Sequence, residues 1–422
     1  MKVRLRFFAV SASLSCVVIG MAIGCSSAST AGTTATTTTT TGTGGTANWQ
    51  GGGDGVWRRD AMSVYGEIYT LDPCKAHQPG NGEYHYHANP LCLRYQLNDN
   101  LVGANVGTNS AAFTETPAAK THSPLLGWAY DGYPVYGPYA YATASSATSG
   151  VRRMVSSFAI RKDNTTTRTS LPVWAQAYQG RTTALTLTEY GPAVSATYPL
   201  GRYVEDYDFT AGSGDLDQYN GRFGVTPEFS AGTYAYFVTI DATGAPAFPY
   251  YLGPQYYGTV AGGAVTSVTE TTTTYFTNHA LAGAVSVVPA IFSWLTKNSL
   301  QYAQVISQSN VSAGAQTTWS GTAAPVYADV QQVRYSTSYV YVNTPGLPSH
   351  IMGPWFNNAA QTQPFPNYPS NQNSLARMPL APVAATTKTA TGGGAQGRWV
   401  NGVAMFNMLD FHSWSYTAQA DQ

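Results

Sequence analysis

The chain has 422 residues, of which 10% are charged, and 21 basic residues balance 21 acidic ones to a formal net charge of zero. So few charges leave no basic face for a phosphate backbone, which argues against nucleic acid as a partner. Its 30 tyrosines, 42 glycines and 24 prolines favour short strands and frequent turns over long helices. The predicted class is mainly β, a single large β-rich domain, sandwich or barrel-like, with a few short helices.

Lys2, Arg4 and Arg6 precede an apolar run from Phe7 to Ile23, the layout of a secretory signal. The run ends at Ala22-Ile23-Gly24-Cys25, a lipobox with Ala22 where leucine is commoner. Cys25 is therefore the predicted lipidation site and residues 1–24 the signal, ordinary cleavage after Gly24 being the competing reading. Residues 26–46 are almost entirely Thr, Ser, Gly and Ala, and residues 25–48 read as a flexible tether because they bury too little to offset ordering entropy. The expected location is the outer membrane or cell surface, otherwise periplasmic or secreted. Membrane contact is expected only through the anchor, since no later stretch approaches the ~20 uncharged apolar residues of a bilayer crossing.

Beyond the tether, Tyr84-His85-Tyr86-His87 carries the most chemistry. In an extended strand His85 and His87 share one face with Cα atoms roughly 6 to 7 Å apart, so both imidazoles reach one ion. Tyr84 and Tyr86 take the opposite, packing face. His77 lies across the turn-rich Gln78-Pro79-Gly80-Asn81-Gly82, which can fold it back beside the strand, and His122 opens His122-Ser123-Pro124. Four of the seven histidines thus fall between positions 77 and 122, and neutral imidazole is a common ligand of copper and zinc. The opposing reading is a polar core whose histidines bond backbone and tyrosine hydroxyls. Cys74 and Cys92 flank the cluster, and with Cys16 in the signal and Cys25 in the lipobox their disulfide has no competitor. It would clamp the histidine hairpin at its base.

Farther along, Asp131-Gly132-Tyr133-Pro134-Val135-Tyr136-Gly137-Pro138-Tyr139 reads as a rigid tyrosine-rich loop. Asp131 there either ligates or orients a histidine, or closes a turn through its own backbone. Residues 170–179 predict a short helix with Ser170 as cap and Pro172 in the first turn. Glu205, Asp206, Asp208, Asp215 and Asp217 make either a calcium-binding patch or a solvated acidic loop. Residues 233–240 alternate as a strand does, with Asp241-Ala242-Thr243-Gly244 as a hairpin turn. A Thr-rich stretch at 262–277 separates this region from later β signals at 333–342 and 397–406. No Gly-x-Ser-x-Gly elbow and no phosphate-cradling loop is present.

The blocks Gly82-Glu83-Tyr84-His85-Tyr86-His87-Ala88-Asn89-Pro90, His122-Ser123-Pro124, Asp131 to Pro138, Asn220 to Phe229 and Gly232 to Phe237 together resemble the YHYH-domain family over most of 57–258. Val333-Arg334-Tyr335, Tyr339-Val340-Tyr341-Val342, Met352-Gly353-Pro354-Trp355 and Trp399-Val400-Asn401-Gly402-Val403-Ala404-Met405-Phe406 are similar to the family too, in a different order. There the Trp399-Val400-Asn401-Gly402 block precedes the Val56-Trp57-Arg58-Arg59-Asp60 block; here it follows. The resemblance therefore implies a circular permutation of one YHYH-type domain over 49–422, with 259–290 as the join. It also implies that 333–414 packs against 57–139, that Trp49 and Trp414 lie on neighbouring surfaces, and that His350 or His412 could join the site. It supplies no activity.

The expected function is an exported protein with a transition-metal site at His85 and His87, helped by His77 or His122 and filled by copper or zinc. Copper handling or redox chemistry, with Tyr84 and Tyr86 nearby, is its extension. The competing class is a surface adhesion or glycan-binding module in which exposed aromatics stack on sugars and the motif is structural. A hydrolase built on Asp131 and a histidine base lacks an identifiable nucleophile. The partner is accordingly a small molecule or a surface glycan.

Overall fold

Short runs of aromatic and β-branched residues, closed off by glycine, proline or asparagine, form strands of 2 to 7 residues. A computed structural model describes residues 51–64, 66–163, 165–283 and 286–422. The predicted signal, Cys25, the tether and Trp49 lie outside these residues. The chain is mainly β, with α-helix confined among the described residues to Leu91–Gln96, Val173–Tyr178 and Pro289–Phe292. None of these helices is long and apolar enough to cross a membrane. The helix expected at 170–179 begins later because Pro172, extended at φ −62° and ψ 155°, is itself the N-cap. Ser170 is held by the Arg161 guanidinium, at 2.7 Å to its carbonyl and 3.4 Å to its hydroxyl.

The site rests on an eight-stranded sheet. Its order is Gly221–Gly224, Thr233–Phe237, Pro134–Tyr136, Leu125–Ala129, Gly397–Trp399, Ala404–Met405, His85–Tyr86 and Ala76–His77. Two strands from the end of the chain therefore lie between strands from its first third. Ala404 and Met405 run parallel to His85 and Tyr86, while Gly397 to Trp399 run antiparallel to Ala129 to Gly127. Glycine is required at 127, where a Cβ would meet Met405 Cε at 2.1 Å and the Arg398 carbonyl at 2.8 Å. Residues 131–136 supply the turn and second strand of a hairpin instead of a loop, because Gly132 at φ +87° turns Leu125–Ala129 back onto Pro134–Tyr136.

Residues 397–406 form a hairpin around Gly402 at φ +82°, and 332–344 form a second, Gln332–Tyr335 with Tyr339–Thr344. The latter is the centre of a six-stranded sheet to which the Thr-rich stretch contributes Gly263–Ala264 and Thr273–Thr277, as β-branched threonine favours. Arg58–Asp60 pairs with Leu409–Ser415, and Trp414 packs with Val56, Trp57 and Tyr203. The turn at 241–244 closes by Asp241 N–H to the Ala245 carbonyl at 2.8 Å. A cluster of buried side chains runs through Tyr84, Tyr86, Val135, Tyr236, Val342, Trp355 and Trp399. Tyr84 and Tyr86 thus occupy the packing face that strand alternation predicts.

Candidate metal centre

Pro79 to Gly82 make the turn, with Gly82 N–H on the Pro79 carbonyl at 2.8 Å and Gly82 at φ +78°. This brings Ala76–His77 antiparallel to His85–Tyr86 with His77 directly opposite His85, so the two imidazoles share a face. His87, two residues on, joins them. Ring centroids are 4.7 Å apart for His77 and His85, 4.7 Å for His85 and His87, and 5.3 Å for His77 and His87. One ligand atom from each lies within 4.8 Å of the others, a cluster capable of coordinating a metal ion.

Hydrogen bonds on the far side of each ring fix which nitrogen faces the cluster. His85 Nδ1 lies 2.8 Å from the Glu83 carbonyl and His87 Nδ1 2.7 Å from the Asn407 carbonyl. Carbonyls only accept, so both Nδ1 atoms carry the proton. His77 Nδ1 lies 2.6 Å from Thr70 Oγ1, whose own hydrogen goes to the Glu67 carbonyl at 2.7 Å; it too must donate. Three Nε2 lone pairs are left facing inward, His85 and His87 at 3.0 Å.

Glu67 completes the set. Its Oε2 lies 3.3 Å from His77 Nε2 and 3.1 Å from His87 Nε2, and this buried oxygen has no hydrogen-bond donor. Four acceptors facing one another repel unless a positive centre sits among them. Burial and the neighbouring imidazoles push the His85 pKa well below its usual range. Burial alone would lower His87, but Glu67 more than offsets it and the net shift is upward. Burial opposes the charge of Glu67, yet His77 and His87 hold its carboxyl well below the ordinary range. Donors sharing a small tetrahedral ion at 2.0–2.1 Å stand about 3.3 Å apart, the spacing of the Glu67 contacts. The residues present fit such an ion.

The surroundings are dry on one side. Phe406 stacks on His85 at 3.7 Å and 15° and meets His87 edge-on at 5.8 Å. The His77 and His87 side chains are 6% and 2% exposed and Glu67 19%, so Glu67 is the least buried of these three.

Other sequence candidates lie elsewhere. His122 precedes Leu125–Ala129, which two strands separate from His85–Tyr86. Its ring rests against Tyr136 and Tyr141 and its Nδ1 meets the Ser123 carbonyl at 2.8 Å. Asp131 closes its turn on Tyr133 N–H and accepts from Tyr236 Oη at 2.5 Å and Gly258 N–H at 2.9 Å, so it orients no histidine. His412 sits beside Asp410. Tyr84 donates to Asp72 at 2.8 Å and Tyr86 meets His350 at 2.5 Å. Cys74 and Cys92 form the expected disulfide, so they and His350, though grouped within 4.8 Å, offer no thiolates.

The calcium expectation finds no convergent oxygen set among the described residues. Arg58 takes Glu205, Arg168 takes Asp206, Arg152 takes Asp215, and Asp217 accepts from Tyr234. Sequence reasoning missed Glu67, Thr70, Asn407 and Phe406, which no motif or spacing ties to the histidines. The family model described as YHYH protein matches residues 11–248. No curated protein and no solved structure gave a match.

Proposed function

Because the chain belongs to the YHYH protein family and its motif strand supplies two of the three converging imidazoles, we propose that the protein binds one transition-metal ion, zinc or copper(II). His77, His85 and His87 are the ligands through Nε2 and Glu67 through Oε2. The observation that carries this reading is the set of three committed Nδ1–H groups, which leaves three lone pairs and an undonated carboxylate oxygen face to face. Imidazole suits both metals, and no sulfur ligand is offered that would select copper(I). Four protein donors fill a tetrahedral set, which fits a holding site better than an open catalytic one.

The charged-then-apolar N terminus and the Thr-rich segment after it support export, with Cys25 as lipid anchor. The placement of 397–399 and 404–405 between early strands supports a single permuted domain. The test is elemental mass spectrometry on untagged protein loaded with zinc or copper, against a His85→Ala, His87→Ala variant. One ion per chain lost in the variant is expected; well-folded wild type that retains none would refute the proposal.

A further inference from the structure

The geometry points to a second chemistry on the other face of the motif strand: the Cys74–Cys92 disulfide exchanges with an external thiol, Cys92 being the sulfur attacked and Cys74 the leaving group, received by His350. This goes beyond metal binding and does not depend on it.

Three observations carry it. Cys92 and His350 line a cavity of about 710 Å³ whose other walls include Gln96, Asn100, Thr116 and Gln304, with no charged side chain; Cys74 does not line it. A neutral polar thiol entering this cavity therefore meets the disulfide from the Cys92 side, the asymmetry that directional exchange requires. Second, His350 Nδ1 lies 3.3 Å from Cys74 Sγ and 3.2 Å from the Ile351 carbonyl. Because a carbonyl only accepts, Nδ1 carries the proton, and Nε2 accepts from Tyr86 Oη at 2.5 Å. Third, a disulfide sulfur is a weak acceptor and a thiolate a strong one, so the Nδ1–H contact to Cys74 strengthens only as that sulfur leaves.

The step balances as follows. A thiolate RS⁻ attacks Cys92 Sγ, the Cys74–Cys92 bond breaks, a mixed disulfide forms on Cys92, and Cys74 departs with the electron pair to the His350 N–H. A second thiol attacks the mixed disulfide, releasing RSSR and Cys92 thiolate. The two protons from the thiols end on Cys74 and Cys92, so the disulfide is reduced and two thiols are oxidised.

The test incubates the folded full chain with excess 2-mercaptoethanol, quenches with acid at intervals and maps adducts by peptide mass spectrometry. The expected result is a transient adduct on Cys92, then two free thiols, with the native circular dichroism retained. His350→Phe slows the reaction about tenfold, the worth of one hydrogen bond to a developing charge, whereas His350→Gln, which keeps an N–H donor, recovers much of the rate. A disulfide that stays intact until denaturant unfolds the chain would overturn the proposal. So would equal adducts on both cysteines, or a His350→Phe rate equal to wild type.

Discussion

Replacing Thr70 with valine removes one hydroxyl and keeps the shape of the side chain. That hydroxyl accepts from His77 Nδ1 at 2.6 Å and donates to the Glu67 carbonyl at 2.7 Å, so it orients one proposed ligand and braces the backbone of another. The Thr70 N–H bond to the same carbonyl, 2.8 Å, remains and keeps the turn. Loss of a partner behind a ligating histidine costs about 10- to 100-fold in metal affinity, about 1.4–2.7 kcal/mol, and two ligands braced by one group place Thr70→Val in the upper half of that range. Zinc affinity measured by competition with a chromophoric chelator gives the number directly. Thr70→Ser, which keeps the hydroxyl, should stay near wild type. Affinity for Thr70→Val within about twofold of wild type, or an equal loss in Thr70→Ser, would refute the tautomer reasoning.

Asp329 is buried, and burial pushes its pKa up to about 7; its Oδ1 accepts from Ser349 N–H at 2.8 Å while Oδ2 has no donor. A folded-state pKa above the unfolded value of about 3.9 means that the unfolded chain gives up its proton first, so the Asp329 contribution is full below about pH 4 and lost as pH rises through about 7. Asp329→Asn, tolerated at the positive φ of 63°, should flatten the fall in urea midpoint between about pH 4 and 7; an unchanged slope would contradict this. Gly402→Ala should cost at least about 1–3 kcal/mol in chemical denaturation, because φ is +82° and a Cβ would meet Thr344 Oγ1 at 2.1 Å. A midpoint equal to wild type would show that the hairpin and the six-stranded sheet do not meet as described.

Period-two alternation is a local property, so the separation of His85 and His87 from Tyr84 and Tyr86, and the return of His77 across a Pro-Gly turn, were legible in the sequence. The disulfide was legible because cysteines outside the N-terminal segment number two. What the sequence did not carry was contact between distant segments. Glu67 reaches the histidines because it occupies the N-cap position of the short turn Ile68–Thr70 with its side chain making no cap bond, and Asn407 and Phe406 reach them because Ala404–Met405 lies parallel to His85–Tyr86. Sequence proximity misled at His122, which two intervening strands from the end of the chain keep apart. Glu205, Asp206 and Asp215 misled in the same way, since their arginine partners come from 58, 168 and 152.

X-ray absorption spectroscopy of the zinc-loaded protein tests the central claim most directly. The account predicts four ligands at about 2.0–2.1 Å, with the multiple-scattering signature of three imidazoles and one oxygen. A sulfur shell near 2.3 Å, or a shell of oxygens without imidazole scattering, would contradict it.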